Sequence, residues 1–242
     1  MKSEVLIKKG YPEWIVNKFT VFFLEIFEKE EDLESFFERV FKYDNETKEP
    51  RRMLNQIQQL ISIADDIDVI RPARDPLRIL FLRSCLEAIY KLANLSNKEA
   101  GKFFEEYMCD EGKKYIKENF RLIFMEPVDQ LEHDKWISFE EKDNLLQFDL
   151  DNFAELFRNI RNDVVHDGNY YEMQIWARDE ESTWLSHCES NECILGSLWK
   201  KNEFGMVTFH FETTMIYKKF RYFFLKGCIS FLEAYVSKID QQ

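Results

Sequence analysis

The 242-residue sequence predicts a mainly α-helical protein, and three observations carry that expectation. Apolar residues recur at spacings of three and four over most of the chain, the pattern of one buried helix face. Glycine and proline are scarce (7 and 5 residues), too few for the many tight turns of an all-β sandwich. An apolar content of 45%, with 23 Phe, provides enough surface for a buried core despite 32% charged residues.

The elements follow in order. Trp14, Val16, Phe19, Phe22, Phe23, Ile26 and Phe27, then Leu33, Phe36, Phe37, Val40 and Phe41, predict one long helix or two short ones over 13–43. The polar run at 43–50 breaks it. Leu54, Ile57, Leu60, Ile61 and Ala64 carry a helix to about residue 70. Pro72 and Pro76 bracket a short connection, and Asp75 before Pro76 reads as an N-cap followed by proline in the first helical position. A strongly patterned helix spans 76–95, with further helices at 97–108 and 111–125. Pro127 opens an acidic, less regular stretch. Asp149 or Asp151 caps a helix over 151–166 that Gly168 stops. From 170 to 212 short β-branched and aromatic runs alternate with polar breaks, and Asn202-Glu203-Phe204-Gly205 reads as a hairpin turn. Helix returns over 213–239.

A net charge of -12 opposes non-specific adhesion to nucleic acid or anionic membranes, so a nucleic-acid role requires a local basic patch. Arg71, Arg74, Arg78 and Arg83 form the densest basic stretch. Arg74 and Arg78 share a helix face and are weak candidates for phosphate contact, against a solvated face paired with Asp75 and Glu87. Lys218, Lys219, Arg221 and Lys226 form a weaker patch. The N-terminal residues lack the apolar core of a signal peptide, and the most apolar stretches are too short or too charge-interrupted to span a bilayer. Five cysteines without framework spacing suit a reducing compartment. Cytoplasmic location and no membrane association are the expectations. His187, Cys188 and Cys193 lack the second ligand pair a structural zinc site needs, and Asp65-Asp66-x-Asp68 lacks the glycine and distal glutamate of a calcium loop and reads as a solvated helix face. No metal or cofactor is expected.

The pattern that carries chemistry is Arg161-Asn162-x-x-x-His166. A bare Arg-x(4–6)-His match arises by chance about half a time in a chain of this composition, and requiring Asn after Arg lowers that to roughly 0.03. Placement adds to this. On a helical wheel Phe153, Leu156, Phe157, Ile160 and Val164 form the core stripe, whereas Arg158, Arg161, Asn162, Val165 and His166 fall on the opposite face. Val165 is an apolar residue on a face that solvent would otherwise claim, which points to a partner subunit there. The residue types suit RNA self-cleavage by its 2′-hydroxyl: a histidine moves protons near neutrality, and a guanidinium fork holds phosphate oxygens. A structural reading also stands, with His166 on helix-end carbonyls and Arg161 paired to Asp163 or Asp167.

The segment FRNIRNDVVHDG resembles the signature of the HEPN superfamily, in which Arg and a following polar residue precede a His by four to six positions. The resemblance covers about half the chain. It implies an up-and-down four-helix bundle at 71–242, with 76–95 as the first bundle helix, a small β-hairpin insert at about 170–212, and residues 1–70 as an N-terminal helical extension. It further implies a homodimer in which motifs from two protomers face each other and cleave RNA without metal, in a stress, toxin or phage-defence setting that includes a possible protein antitoxin. In that carry-over His166 is the acid/base, Arg161 the phosphate stabiliser and Asn162 the positioning group, with Arg158 as a weak phosphate contact and Val165 at the interface. The alternative is a non-catalytic module of the same type that binds a protein partner or a nucleotide.

Overall fold

A computed structural model describes residues 3–43, 46–71, 74–127, 149–168, 176, 197–202 and 205–241. The protein is mainly helical. In chain order the elements are α1 (Glu4–Lys8), α2 (Glu13–Leu24), α3 (Glu30–Phe41), α4 (Glu49–Ile70), α5 (Asp75–Leu92), a 3-10 turn (Glu99–Lys102), α6 (Phe103–Glu106), α7 (Asp110–Asn119), β1 (Phe120–Pro127), α8 (Leu150–Asn162), a π turn (Asp163–Asp167), β2 (Ser197–Asn202), β3 (Gly205–Thr213) and α9 (Tyr217–Ile239).

The 13–43 pattern resolves into two helices, α2 and α3, parted at residues 25–29. In α3 the buried residues Leu33, Phe36, Phe37, Val40 and Phe41 repeat at three and four, while Glu30, Glu31 and Asp32 complement the positive N-terminal end of its dipole. The short α1 escapes the pattern; it is capped by the Ser3 hydroxyl, which accepts the Leu6 N–H.

Two expectations about local structure are corrected. The helix expected over 111–125 ends at Asn119, and residues 120–127 form β1. Its run Phe120-Arg-Leu-Ile-Phe is apolar and partly β-branched, and pairing with β3 satisfies its backbone outside any helix. The sheet is antiparallel in the order β1-β3-β2, with Asn202 opposite Gly205 at the end of the β2–β3 ladder. Asp75 does not cap α5: it lies within the helix, buried, and its Oδ2 accepts the Trp176 backbone N–H at 3.0 Å. Its carboxylate joins segments 101 positions apart.

One apolar cluster runs from Val5 to Val236 and includes residues of α2, α3, α4, α5, α8 and α9. Around the motif helix its centre is aromatic. Phe104 meets Phe153 edge-on at 4.9 Å and Phe157 at 5.5 Å, and Phe220 lies 5.8 Å and 5.7 Å from the same two rings. Gly227 on α9 lets Phe103 approach, since a Cβ there would stand 2.8 Å from the ring. That seats α6 against α9, while the 3-10 turn packs on α5 and α8. α5 packs between α4 and α8, so whatever α5 carries toward α8 is held by helices on both sides.

Candidate functional site

The motif helix begins at a true cap. The Asp149 carboxylate accepts the Asn152 N–H at 2.8 Å, satisfying one of the orphan donors of the first turn. Phe153, Leu156, Phe157 and Ile160 are buried, as the wheel requires, and they fix the rotation of α8 about its axis. The opposite face therefore points outward: Arg158 and His166 are exposed, Arg161 and Asn162 half-buried, and Val165 is 49% exposed.

The last turn changes the geometry of the motif. In an α-helix Arg161 and His166, five residues apart, are separated by about 140° around the axis. Residues 163–167 instead form a π turn, whose hydrogen bonds close five residues apart, so the angular gap between the two side chains narrows. Gly168 follows with φ +66°, a left-handed conformation that glycine takes without strain and that ends the helix. The five-residue spacing of Arg and His thus matches the widened turn that carries it.

Arg161 is not free. Its Nη2 donates to Glu87 Oε2 at 3.1 Å and its Nη1 donates to Asn162 Oδ1 at 3.1 Å, while among the described residues its buried Nε has no acceptor. Glu87 also takes the Nε–H of Arg83 on Oε1 at 3.3 Å. Arg83 is only 1% exposed, and its remaining donors reach the carbonyl oxygens of Asn97 at 3.2 Å and Ala100 at 3.5 Å. A continuous chain of polar contacts therefore runs from the 3-10 turn through Arg83 and Glu87 to Arg161 and Asn162. Burial pushes the Arg83 guanidinium down from its ordinary range, Glu87 pulls it back, and the charges of Arg158 and Arg161 add to the lowering. One carboxylate shared by two guanidinium groups leaves one unit of positive charge at the motif.

Sequence reasoning missed Glu87 as the partner of Arg161, although the Arg83/Glu87 pair at i,i+4 was visible. Arg74 and Arg78 are not brought to the motif. Arg74 is half-buried ahead of α5. Arg78 is buried with its guanidinium 4.1 Å over the Tyr217 ring and 3.4 Å from Asp68. Nine residues separate Arg78 from Glu87, half a turn out of phase on the helix, so the two face opposite neighbours. In the acidic run of α4, Asp66 and Asp68 lie on an exposed face as expected, but Asp65 turns inward and accepts both from Arg221 Nε at 2.7 Å and from the Tyr217 hydroxyl at 2.8 Å. Arg221 also bonds Glu25, which removes it from the expected basic patch on the last helix.

Among the described residues no cluster of His, Cys, Asp or Glu could hold a metal ion, and His187, Cys188 and Cys193 lie outside the described residues. No helix of the described chain is long and apolar enough to cross a membrane. No protein-family model, curated protein or solved structure matches the chain.

Proposed function

We propose that the protein is a metal-independent endoribonuclease of HEPN type, acting at a composite site where the α8 faces of two protomers meet. One observation carries the reading: Arg161, Asn162 and His166 share an outward face whose one exposed apolar residue is Val165. Two-fold pairing of that face would cover Val165 and supply two imidazoles and two guanidinium groups to one phosphodiester. One His166 then takes the 2′-hydroxyl proton, the other protonates the leaving 5′-oxygen, and Arg161 holds the phosphate oxygens. Asn162 fixes the Arg161 head through its Oδ1, and Glu87 fixes it from the other side. A stress, toxin or phage-defence setting, with a protein antitoxin as a further partner, belongs to this proposal.

A second reading is favoured by the Arg161–Glu87 pair itself. A guanidinium already engaged by a carboxylate grips phosphate less strongly, which suits a non-catalytic module that docks a protein partner or a nucleotide on the same face.

Labelled RNA incubated in EDTA with the wild type and with His166→Ala separates the two. The nuclease reading expects 2′,3′-cyclic phosphate ends from the wild type and none from the variant. Equal background in both would remove it and leave the docking module.

A further inference from the structure

A cavity of about 320 Å³ lies beside the motif, between the 3-10 turn and the N-terminal half of α8. Its charged lining consists of Arg83, Lys98, Lys102 and Arg158 against Asp151 and Glu155, so positive groups exceed negative ones on a chain whose net charge is -12. Glu155 reaches Arg158 at 3.5 Å. Glu99, on the same turn, accepts the Ser96 N–H at 2.6 Å and does not line the cavity. Lys98, Lys102 and Arg158 are exposed, whereas Arg83 forms the floor and ties the turn carrying both lysines to α8 through Glu87 and Arg161.

Two features say what the groove takes. Asp151, Glu155 and Arg158 lie on the helical stripe that continues to Asn162 and Val165, so groove and motif form one track of about 20 Å along α8. Burial is the main cause that lowers the Arg83 guanidinium, and the nearby charges of Arg158 and Arg161 add to it, a crowding of cations that a bound anion relieves. A single phosphate satisfies one pair of cations. A polyanion laid along the track satisfies all of them.

We propose that this groove is the entry path for a single RNA strand, gripped through its phosphates by Lys98, Lys102 and Arg158 on the way to Arg161 and His166. The assignment rests on the nuclease reading for its substrate, and it makes the grip independent of sequence, because ammonium and guanidinium groups on phosphates read charge and not bases.

The test is fluorescence anisotropy with a short labelled 2′-O-methyl RNA, which lacks the hydroxyl needed for cleavage. The wild type is compared with Lys98→Glu/Lys102→Glu and with Lys114→Glu/Lys117→Glu, the same charge change on exposed positions of α7. The groove variant is expected to bind about tenfold or more weakly and to lose about 1.4 from the log–log salt slope, two phosphate contacts' worth, with the control variant close to wild type. Thermal melting confirms that both variants are folded. The proposal is overturned if the wild type does not bind at low salt, if the two variants weaken binding equally, or if AMP competes as well as the strand. Cleavage of unmodified RNA in EDTA is read separately. Groove-dependent binding without cleavage removes the nuclease reading and keeps the groove; cleavage by the groove variant at wild-type rate and affinity removes the groove and keeps the nuclease.

Discussion

Helix α5 carries charge networks on two opposite sides, and they are built differently. Toward α4 and α9, Arg78 meets Asp68 and Asp75, while Arg221 meets Asp65 and Glu25, with Tyr217 bridging by its ring to Arg78 and by its hydroxyl to Asp65. There carboxylates outnumber guanidinium groups two to one. Toward α8 the ratio is reversed, with Glu87 alone serving Arg83 and Arg161. In the first network both guanidinium groups are spent on carboxylates of the fold itself, with negative charge in excess, and the pairs join α4, α5 and α9. The second leaves positive charge at the surface, on the helix face that also carries the exposed His166. Burying unbalanced charge costs free energy, so an arrangement that keeps it beside a groove is one that a bound anion completes.

Breaking the closed network has the largest expected effect. Asp65→Ala leaves the Tyr217 hydroxyl without its acceptor and Arg221 with Glu25 alone, and should cost about 3 kcal/mol, read as a fall in the urea midpoint with an unchanged slope. The same network is sensitive to alkali. Burial pushes the Tyr217 hydroxyl well up, with the Asp65 charge adding to it, and burial does the same to Tyr90 in the core. The folded chain therefore keeps protons that the unfolded chain releases above pH ~10, so this stability is intact below that pH and is lost as pH rises beyond it, by about 1.4 kcal/mol per pH unit for each tyrosine. Tyr217→Phe should flatten the alkaline limb of a stability-versus-pH curve; an unchanged limb would place the sensitivity elsewhere.

The open network should respond differently. Glu87→Ala removes the shared acceptor and should cost about 2 kcal/mol, while raising affinity for RNA because Arg161 is released. If Glu87 positions Arg161, cleavage falls in the same variant even as binding tightens, and a double-mutant cycle with Arg161→Ala gives a coupling of about 1 kcal/mol. Binding and turnover moving together would show Glu87 to be only a structural partner. The smallest effect belongs to Gly168→Ala, about 1 kcal/mol in urea unfolding, from the left-handed backbone that alanine resists.

Much of this was legible in the sequence because it depends on short-range periodicity. The outward aim of Arg161, Asn162 and His166 follows from the Phe153–Leu156–Phe157–Ile160 stripe alone, and the cap was narrowed to Asp149 or Asp151, of which the structure uses Asp149. What was hidden depends on pairing across the chain. Arg78 looked like a solvent-facing cation until α9 brought Tyr217 over it, and Asp75 looked like a cap until Trp176 claimed its carboxylate. Residues 120–127 continue an amphipathic run that is compatible with helix, and only the partner strand β3, about 80 positions later, decides for β. The π turn escaped the wheel because a wheel assumes one constant angle per residue.

The central claim is that the Arg161 face works only against a second copy of itself. Analytical ultracentrifugation of the wild type and Val165→Asp, run alongside cleavage rates over a range of protein concentrations, tests it directly. The account predicts a wild-type dimer whose rate per protomer rises with concentration through the dimer dissociation constant, and a folded, monomeric, inactive Val165→Asp. A monomeric wild type whose cleavage per protomer is independent of concentration would contradict it.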